Sequence, residues 1–309
     1  MPYRPMPEYQ TGPVEVGDNL YAYMQWDGGW GISNAGFLVD DDGLLVIDAL
    51  MAPSMTREFV GAMRGVSAAP FRHLVNTHMH GDHTNGNQFI EGAEIVAHEQ
   101  CRAEMVAAAE LAEAQAAQRP AGDRGPKPFW IQQSWWEELA EVEQTLPVTT
   151  FADRLTLRYG ETEAQLYHHG PAHTLGDSMV YFPESKVLFS GDLAFFYATP
   201  LCRGHMANWV RICDIIREMD IDLVVPGHGP MGGKQELQDM QEYLEFMVVQ
   251  TRDAFENGLS EEDAAKAIDI GQWAQWPESE RKEMNITNLY ATFAAERDAL
   301  SRSDEGAGA

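Results

Sequence analysis

Residues 77–86 read Thr-His-Met-His-Gly-Asp-His-Thr-Asn-Gly and follow directly on Phe71–Asn76, a run that reads as a buried strand. Four side chains able to bind a metal, His78, His80, Asp82 and His83, fall within six residues. The segment needs a rigid strand end, where alternation points His78 and His80 the same way, and a sharp turn admitted by Gly81 that brings Asp82 and His83 round. Imidazole and carboxylate are donors suited to zinc, and iron and manganese accept the same set. Three more candidates stand in loops after expected strands: His173 in 170–177, Asp192 in 189–192 and His228 in 226–230. Glycine and proline around them mark tight turns that present a side chain. Loops at one edge of a sheet are where α/β proteins place their sites.

The rest of the chain reads as strands, helices, strands and helices again. Asn19–Gln25, Ala35–Val39 and Leu44–Ile47 are β-rich, separated by a glycine-dense tip at Trp26–Gly31 and an acidic turn at Asp40–Gly43. This is a strand, a flap-like hairpin tip and a tight hairpin. Ser54–Gly65 suits a helix with Ser54 near its N-cap. Further strands are expected at Ala93–Ala97, Arg154–Arg158, Ala164–Tyr167, Ser178–Phe182, Val187–Leu188 and Asp222–Val225, with a helix at Trp209–Met219. Residues 99–146, with alanine- and glutamate-rich Ala103–Gln118 and the aromatics Phe129, Trp130, Trp135 and Trp136, read as a helical insertion. Residues 234–300 read as a C-terminal helical extension. The expected class is α/β, one domain over 1–309 with two sheets inside and helices outside.

Charge narrows the partners. Forty-eight acids against 21 bases leave a net charge of −27, which repels phosphate backbones and anionic lipid. No run approaches the roughly twenty apolar residues of a membrane span. The first residues show no secretory signal, and three scattered cysteines suggest a reducing compartment, so a cytoplasmic protein is expected. The partner expected is a small molecule, neither nucleic acid nor membrane.

The four motifs together resemble the metallo-β-lactamase-fold hydrolases, whose signature is His-x-His-x-Asp-His followed by a distant His, an Asp and a final His. The resemblance implies an αββα sandwich of two mixed β-sheets with a dinuclear metal centre at one edge. Carried onto this chain, His78, His80 and His173 would hold one metal, Asp82, His83 and His228 the other, and Asp192 would bridge them. Two carboxylates against two divalent ions leave excess positive charge, so a bridging water ionises near neutral pH and attacks a carbonyl or phosphoryl centre. Asp82 would orient that hydroxide and relay its proton. His80 stands where the diiron flavoprotein branch usually carries glutamate, which favours two zinc ions, with iron or manganese as alternatives. Asp192 stands where the antibiotic-degrading branch has cysteine or serine. An aspartate there is similar to hydroxyacylglutathione hydrolases and other thioesterases, and to lactonase, arylsulfatase-like and phosphodiesterase branches. Phe195 occupies the position where lactonases carry tyrosine. The expected activity is cleavage of a small ester, thioester or lactone, with β-lactam hydrolysis or a non-catalytic metal-binding scaffold as alternatives.

Around this set, Asp48 at the end of Leu44–Ile47 is a candidate acceptor for an N–H of His80, or simply a strand-ending aspartate. Trp26 and Trp30 on the flap, with Phe195 and His205 after the bridging position, are candidate substrate contacts. The flap tryptophans could equally pack on Trp135 and Trp136. Tyr243, Leu244, Phe246 and Met247 read as core or as a homodimer face, for which the insertion is the other candidate. No catalytic role is expected of the C-terminal helices.

Overall fold

In a computed structural model describing residues 4–120 and 122–306, the first strands pair in chain order. β1 (Gly12–Gly17), β2 (Leu20–Met24), β3 (Ala35–Asp40) and β4 (Gly43–Ile47) run antiparallel. β5 (Phe71–Asn76), β6 (Glu94–His98) and β7 (Thr149–Phe151) continue the same sheet in parallel. α1 (Pro53–Val66) links β4 to β5, and the single turn α2 (Gly81–Thr84) follows β5. α3 (Glu99–Ala116) and α4 (Gln133–Glu138) lie in the long connection from β6 to β7. The second sheet is β8 (Arg154–Tyr159), β9 (Thr162–Tyr167), β10 (Met179–Phe182) and β11 (Val187–Phe195), all antiparallel. β12 (Leu223–His228) joins β11 in parallel after α5 (Met206–Glu218). α6 (Lys234–Glu256), α7 (Glu261–Ala267) and α8 (Arg281–Gly306) complete the chain.

Side-chain alternation explains the layering. Every residue of β4 is buried, because Leu45 and Ile47 face the other sheet while Leu44 and Val46 face α1. Between the sheets, Leu38, Val75 and Val96 meet Val180, Phe182 and Phe189. Outside the first sheet, Met55, Phe59 and Met63 of α1 pack with Ile131 and Trp135. Outside the second, Trp209 and Ile212 of α5, Tyr243, Leu244 and Met247 of α6, and Phe293 of α8 form the third cluster. Each such buried large side chain contributes about 2 kcal/mol. The result is an αββα sandwich of two mixed sheets. Tyr243, Leu244 and Met247 are thus core within the chain. Among the described residues, no helix is long and apolar enough to cross a membrane.

Three local differences from the sequence reading have clear causes. β1 and β7 go beyond the expected strands. β1 is a half-exposed edge with little apolar signal, and β7 is only three residues long. α1 opens at Pro53 rather than at a Ser54 cap, since proline suits the first turn. β11 does not stop at Leu188 but runs on to Phe195, with register shifts on β12 on either side of Gly191.

Candidate metal centre

The carboxyl end of β5 and the ends of β11 and β12 meet at one edge of the sandwich. Thr77 to His80 leave β5, and Asp82 and His83 ride on α2. Gly81 takes no positive φ, so the turn expected of its backbone freedom is made by the helix itself. His173 comes from the β9–β10 connection and His228 is the last residue of β12. Asp192 lies within bulged β11, not in a loop after it. Gly191, with φ +50°, turns the strand, and such bulges re-aim a side chain. Gly227 on β12 allows the approach, because a Cβ there would stand 1.9 Å from Asp192 Oδ1. Asn34 pins the flap to the same edge, donating from Nδ2 to Pro226 O and Gly229 O at 3.0 and 2.8 Å.

The structure brings the seven expected metal-binding side chains into two adjoining groups. His78, His80, His173 and Asp192 form one and Asp82, His83 and His228 the other, with donor atoms in each within 4.8 Å of one another. In the first, His80 Nδ1 lies 3.1 Å from His78 Nε2 and 2.8 Å from His173 Nε2. In the second, Asp82 Oδ2 lies 3.3 Å from His228 Nε2 and 4.0 Å from His83 Nε2. Asp192 reaches both: Oδ2 is 3.1 Å from His173 Nε2, and Oδ1 is 3.1 Å from His83 Nε2.

Four of the rings are oriented from behind. His83 Nδ1–H donates to Asp48 Oδ2 at 2.8 Å, His173 Nδ1–H to Leu201 O at 2.5 Å and His228 Nδ1–H to Gly28 O at 3.1 Å. Thr77 donates its hydroxyl to Asp48 Oδ2 at 2.8 Å, and so accepts from His78 Nδ1–H at 3.1 Å. With the proton on Nδ1, each Nε2 lone pair faces inward, as second-layer partners of ligating histidines arrange it. Asp48 therefore supports His83 and Thr77, where His80 was the expected partner. His80 turns Nδ1 towards the other rings, while α2 carries His83 back over Asp48.

Electrostatics and hydrogen bonding both point to a cation. Burial pushes the pKa of His78 well down and that of His80 to about 3. Burial also disfavours charge on His83 and His228. Asp192 outweighs it, with Asp48 adding at His83, so His83 is raised well above its usual value and His228 to about 9. Burial would raise Asp82 and Asp192, but the histidines around them outweigh it and hold both below the ordinary carboxylate range. Despite their 3.1 Å separation, His83 Nε2 and Asp192 Oδ1 are buried with no hydrogen-bond partner. Native structures rarely leave two such atoms unsatisfied. Five inward nitrogens and two carboxylates fit divalent metal, and the chemistry of the donors suits it.

A cavity of about 310 Å³ opens onto His80, Asp82, His173, Asp192 and His228. Trp30 and Phe195 line it as expected, and the Phe195 ring stacks on His228 at 4.8 Å. Trp26 and His205 are not among its walls. Trp26 is half exposed and leans on Trp135 at 6.3 Å, the packing alternative for the flap. His205 caps α5, its Nδ1 accepting from Asn208 N at 3.1 Å. The insertion supplies Phe129, Trp130 and Ile131. Two arginines on the wall, Arg203 and Arg281, and Met284 beside them were not anticipated. Arg281 opens the last helix within Glu-Ser-Glu-Arg-Lys, a run that reads as a solvated helix start. Nothing local signals its burial.

A model of the metallo-beta-lactamase superfamily matches residues 28–228. The α subunit of a 2,4-dinitroanisole O-demethylase from Nocardioides sp. (strain JS1661) is 23% identical over 233 residues, 72% of this chain and 60% of that one. A type 2 metallo-beta-lactamase from Bacillus sp. (strain 170) is 23% identical over 208 residues, 65% of this chain and 68% of that one. A stereoselective inverting sec-alkylsulfatase from Pseudomonas sp. superposes with a TM-score of 0.68 at 18% identity, covering 92% of this chain and 50% of that one. The chain thus spans about 60% of the demethylase subunit and half of the alkylsulfatase. With the family match running from the flap to the last histidine of the cluster, the chain belongs to the metallo-beta-lactamase superfamily.

Proposed function

We propose that the chain is a dinuclear zinc-dependent hydrolase of a small ester, thioester or lactone. The observation that carries the reading is Asp192, one carboxylate shared between two groups of imidazoles on the floor of an apolar cavity. His78, His80 and His173 would hold one ion, Asp82, His83 and His228 the other, and Asp192 both. Bound there, two divalent cations supply Lewis acidity and water acidic enough to act as a nucleophile near neutral pH. The chain's own residues do the rest. Asp82 faces the cavity with Oδ2 3.3 Å from His228 Nε2, and its carboxylate would orient a water and pass its proton to the leaving group. Trp30, Trp130 and Phe195 exclude solvent and hold an apolar body, and a volume of about 310 Å³ suits a small molecule. A second reading, cleavage of a sulfate ester, draws on the likeness to the alkylsulfatase, which extends over 92% of the chain and so takes in the C-terminal helices.

Metal analysis with a substrate panel tests both. Two zinc ions per chain and chelator-sensitive turnover of a thioester, lactone or simple ester are expected. Turnover confined to alkyl sulfates transfers the assignment to the second reading, and turnover confined to a β-lactam makes the chain a lactamase. Two bound ions with inertness throughout would make it a binding scaffold, and turnover of phosphodiesters alone would end the acyl reading.

A further inference from the structure

Arg281 is 2% exposed and lines the same cavity as the metal-binding cluster. Its Nη1 donates to Thr199 O at 2.8 Å, while Nε is buried with no hydrogen-bond partner. Its other neighbours are ring faces: Cζ stands 4.0 Å from the Trp30 centroid and 5.6 Å from that of Phe195. Arg57, Arg158 and Arg252 all pair with carboxylates, whereas Arg281 forms no ion pair among the described residues. The carboxylates close by in sequence are engaged by the flap. Glu278 Oε1 accepts from Trp30 N at 3.4 Å, and Glu280 Oε1 accepts from Trp30 Nε1 at 3.0 Å. Glu278, Asp192, Asp82 and Glu280 are near enough to favour its charge, but none pairs with it. A buried guanidinium with an unsatisfied donor is costly to keep, a cost that a ligand bringing anionic oxygens to it removes. Arginine is also suited to this task, because its planar donors match two oxygens of one oxyanion.

We infer that Arg281 binds the anionic head of a small organic molecule, a sulfate monoester or a carboxylate, whose apolar body lies against Trp30, Phe195 and Met284. Cleavage of the bound molecule rests on the hydrolase reading, whereas its binding does not. Since the chain as a whole is strongly acidic, its general field does not gather anions. The selection is therefore local. Arg203 is exposed on the same cavity and is the rival for the same head.

Calorimetric titration of the full chain with hexyl sulfate, hexanoate and neutral 1-hexanol, before and after chelation, tests this. The wild type should bind at least one anion ten-fold or more tightly than hexanol, and the ratio of the two anions identifies the head. Arg281→Gln should cut anion affinity at least ten-fold and leave hexanol within two-fold. Arg281→Lys should restore part of the preference. Equal binding of anions and hexanol by the wild type overturns the inference, as does a preference that survives Arg281→Gln. If circular dichroism shows Arg281→Gln unfolded, Arg203→Gln decides: losing the preference there overturns the inference, and keeping it, with Arg281→Lys weakened, supports it. Inertness on every ester with the preference intact removes the hydrolase reading alone. Turnover of neutral esters without any anion preference removes only the inference.

Discussion

The floor and the wall of the cavity are built by different physics. On the floor, side chains leave strand ends, and acceptors behind the rings set four of them, such as Asp48 behind His83 and Leu201 O behind His173. On the wall, Trp30 is held between the Trp130 ring at 5.5 Å and Arg281 at 4.0 Å, with a carboxylate 250 positions away accepting from its indole. Hydrogen bonds to buried groups fix direction, while ring-face contacts tolerate repacking. The floor can thus stay constant while flap, insertion and last helix change what is bound. Such a division suits a family whose members act on different molecules.

The largest effect should come from the floor. Asp192→Asn keeps the volume but removes the charge shared by four imidazoles, and should lower kcat/KM about a thousand-fold. Elemental analysis should find fewer than two ions per chain, and chelation should lower Tm markedly in the wild type and little in the variant, since ligand-linked stability is already lost. Near-normal activity with two ions would show that the floor is less interdependent than its geometry implies. Asp48→Ala comes next. It unties Thr77 and His83 together, and loss of a partner behind a ligand typically costs 10- to 100-fold in metal affinity, which a competitive chelator titration reads directly.

Legibility in the sequence divides along the same line. His78, His80, Asp82 and His83 announce themselves by spacing, and His173, Asp192 and His228 by the glycines and prolines that shape their segments. The layered fold follows from runs such as Leu44–Ile47, buried on both faces. What local reading misses is set by distant packing. Asp48 was legible as a supporting acceptor, yet its partner depended on how α2 carries His83 back over it. Arg281 is invisible because only Trp30 and Phe195, from the flap and β11, convert a charged helix start into a cavity wall. Trp26 and Trp30 look equivalent as letters, and only the fold separates them.

That separation gives the third prediction. Trp30→Ala removes a face of the cavity together with the stack on Arg281, and should raise KM about ten-fold with kcat little changed, because it binds body rather than reacting atoms. Trp26→Ala should leave both within two-fold. Equal effects would mean that the flap closes on substrate as a unit, and the wall would then be less divisible than its contacts suggest.

The smallest effect belongs to His205, which stands near the floor in sequence but serves a helix. Its ring accepts from Asn208 N and satisfies one of the free donors at the start of α5. His205→Ala should cost about 1 kcal/mol of stability, typical of a lost N-cap, lowering Tm by a few degrees in a thermal melt. His205→Asn, a strong capping residue, should recover most of it. Turnover should not move, since the ring is not part of the cavity wall. A change in KM that Asn fails to rescue, at unaltered Tm, would instead draw His205 into the wall and extend the substrate surface to the start of α5.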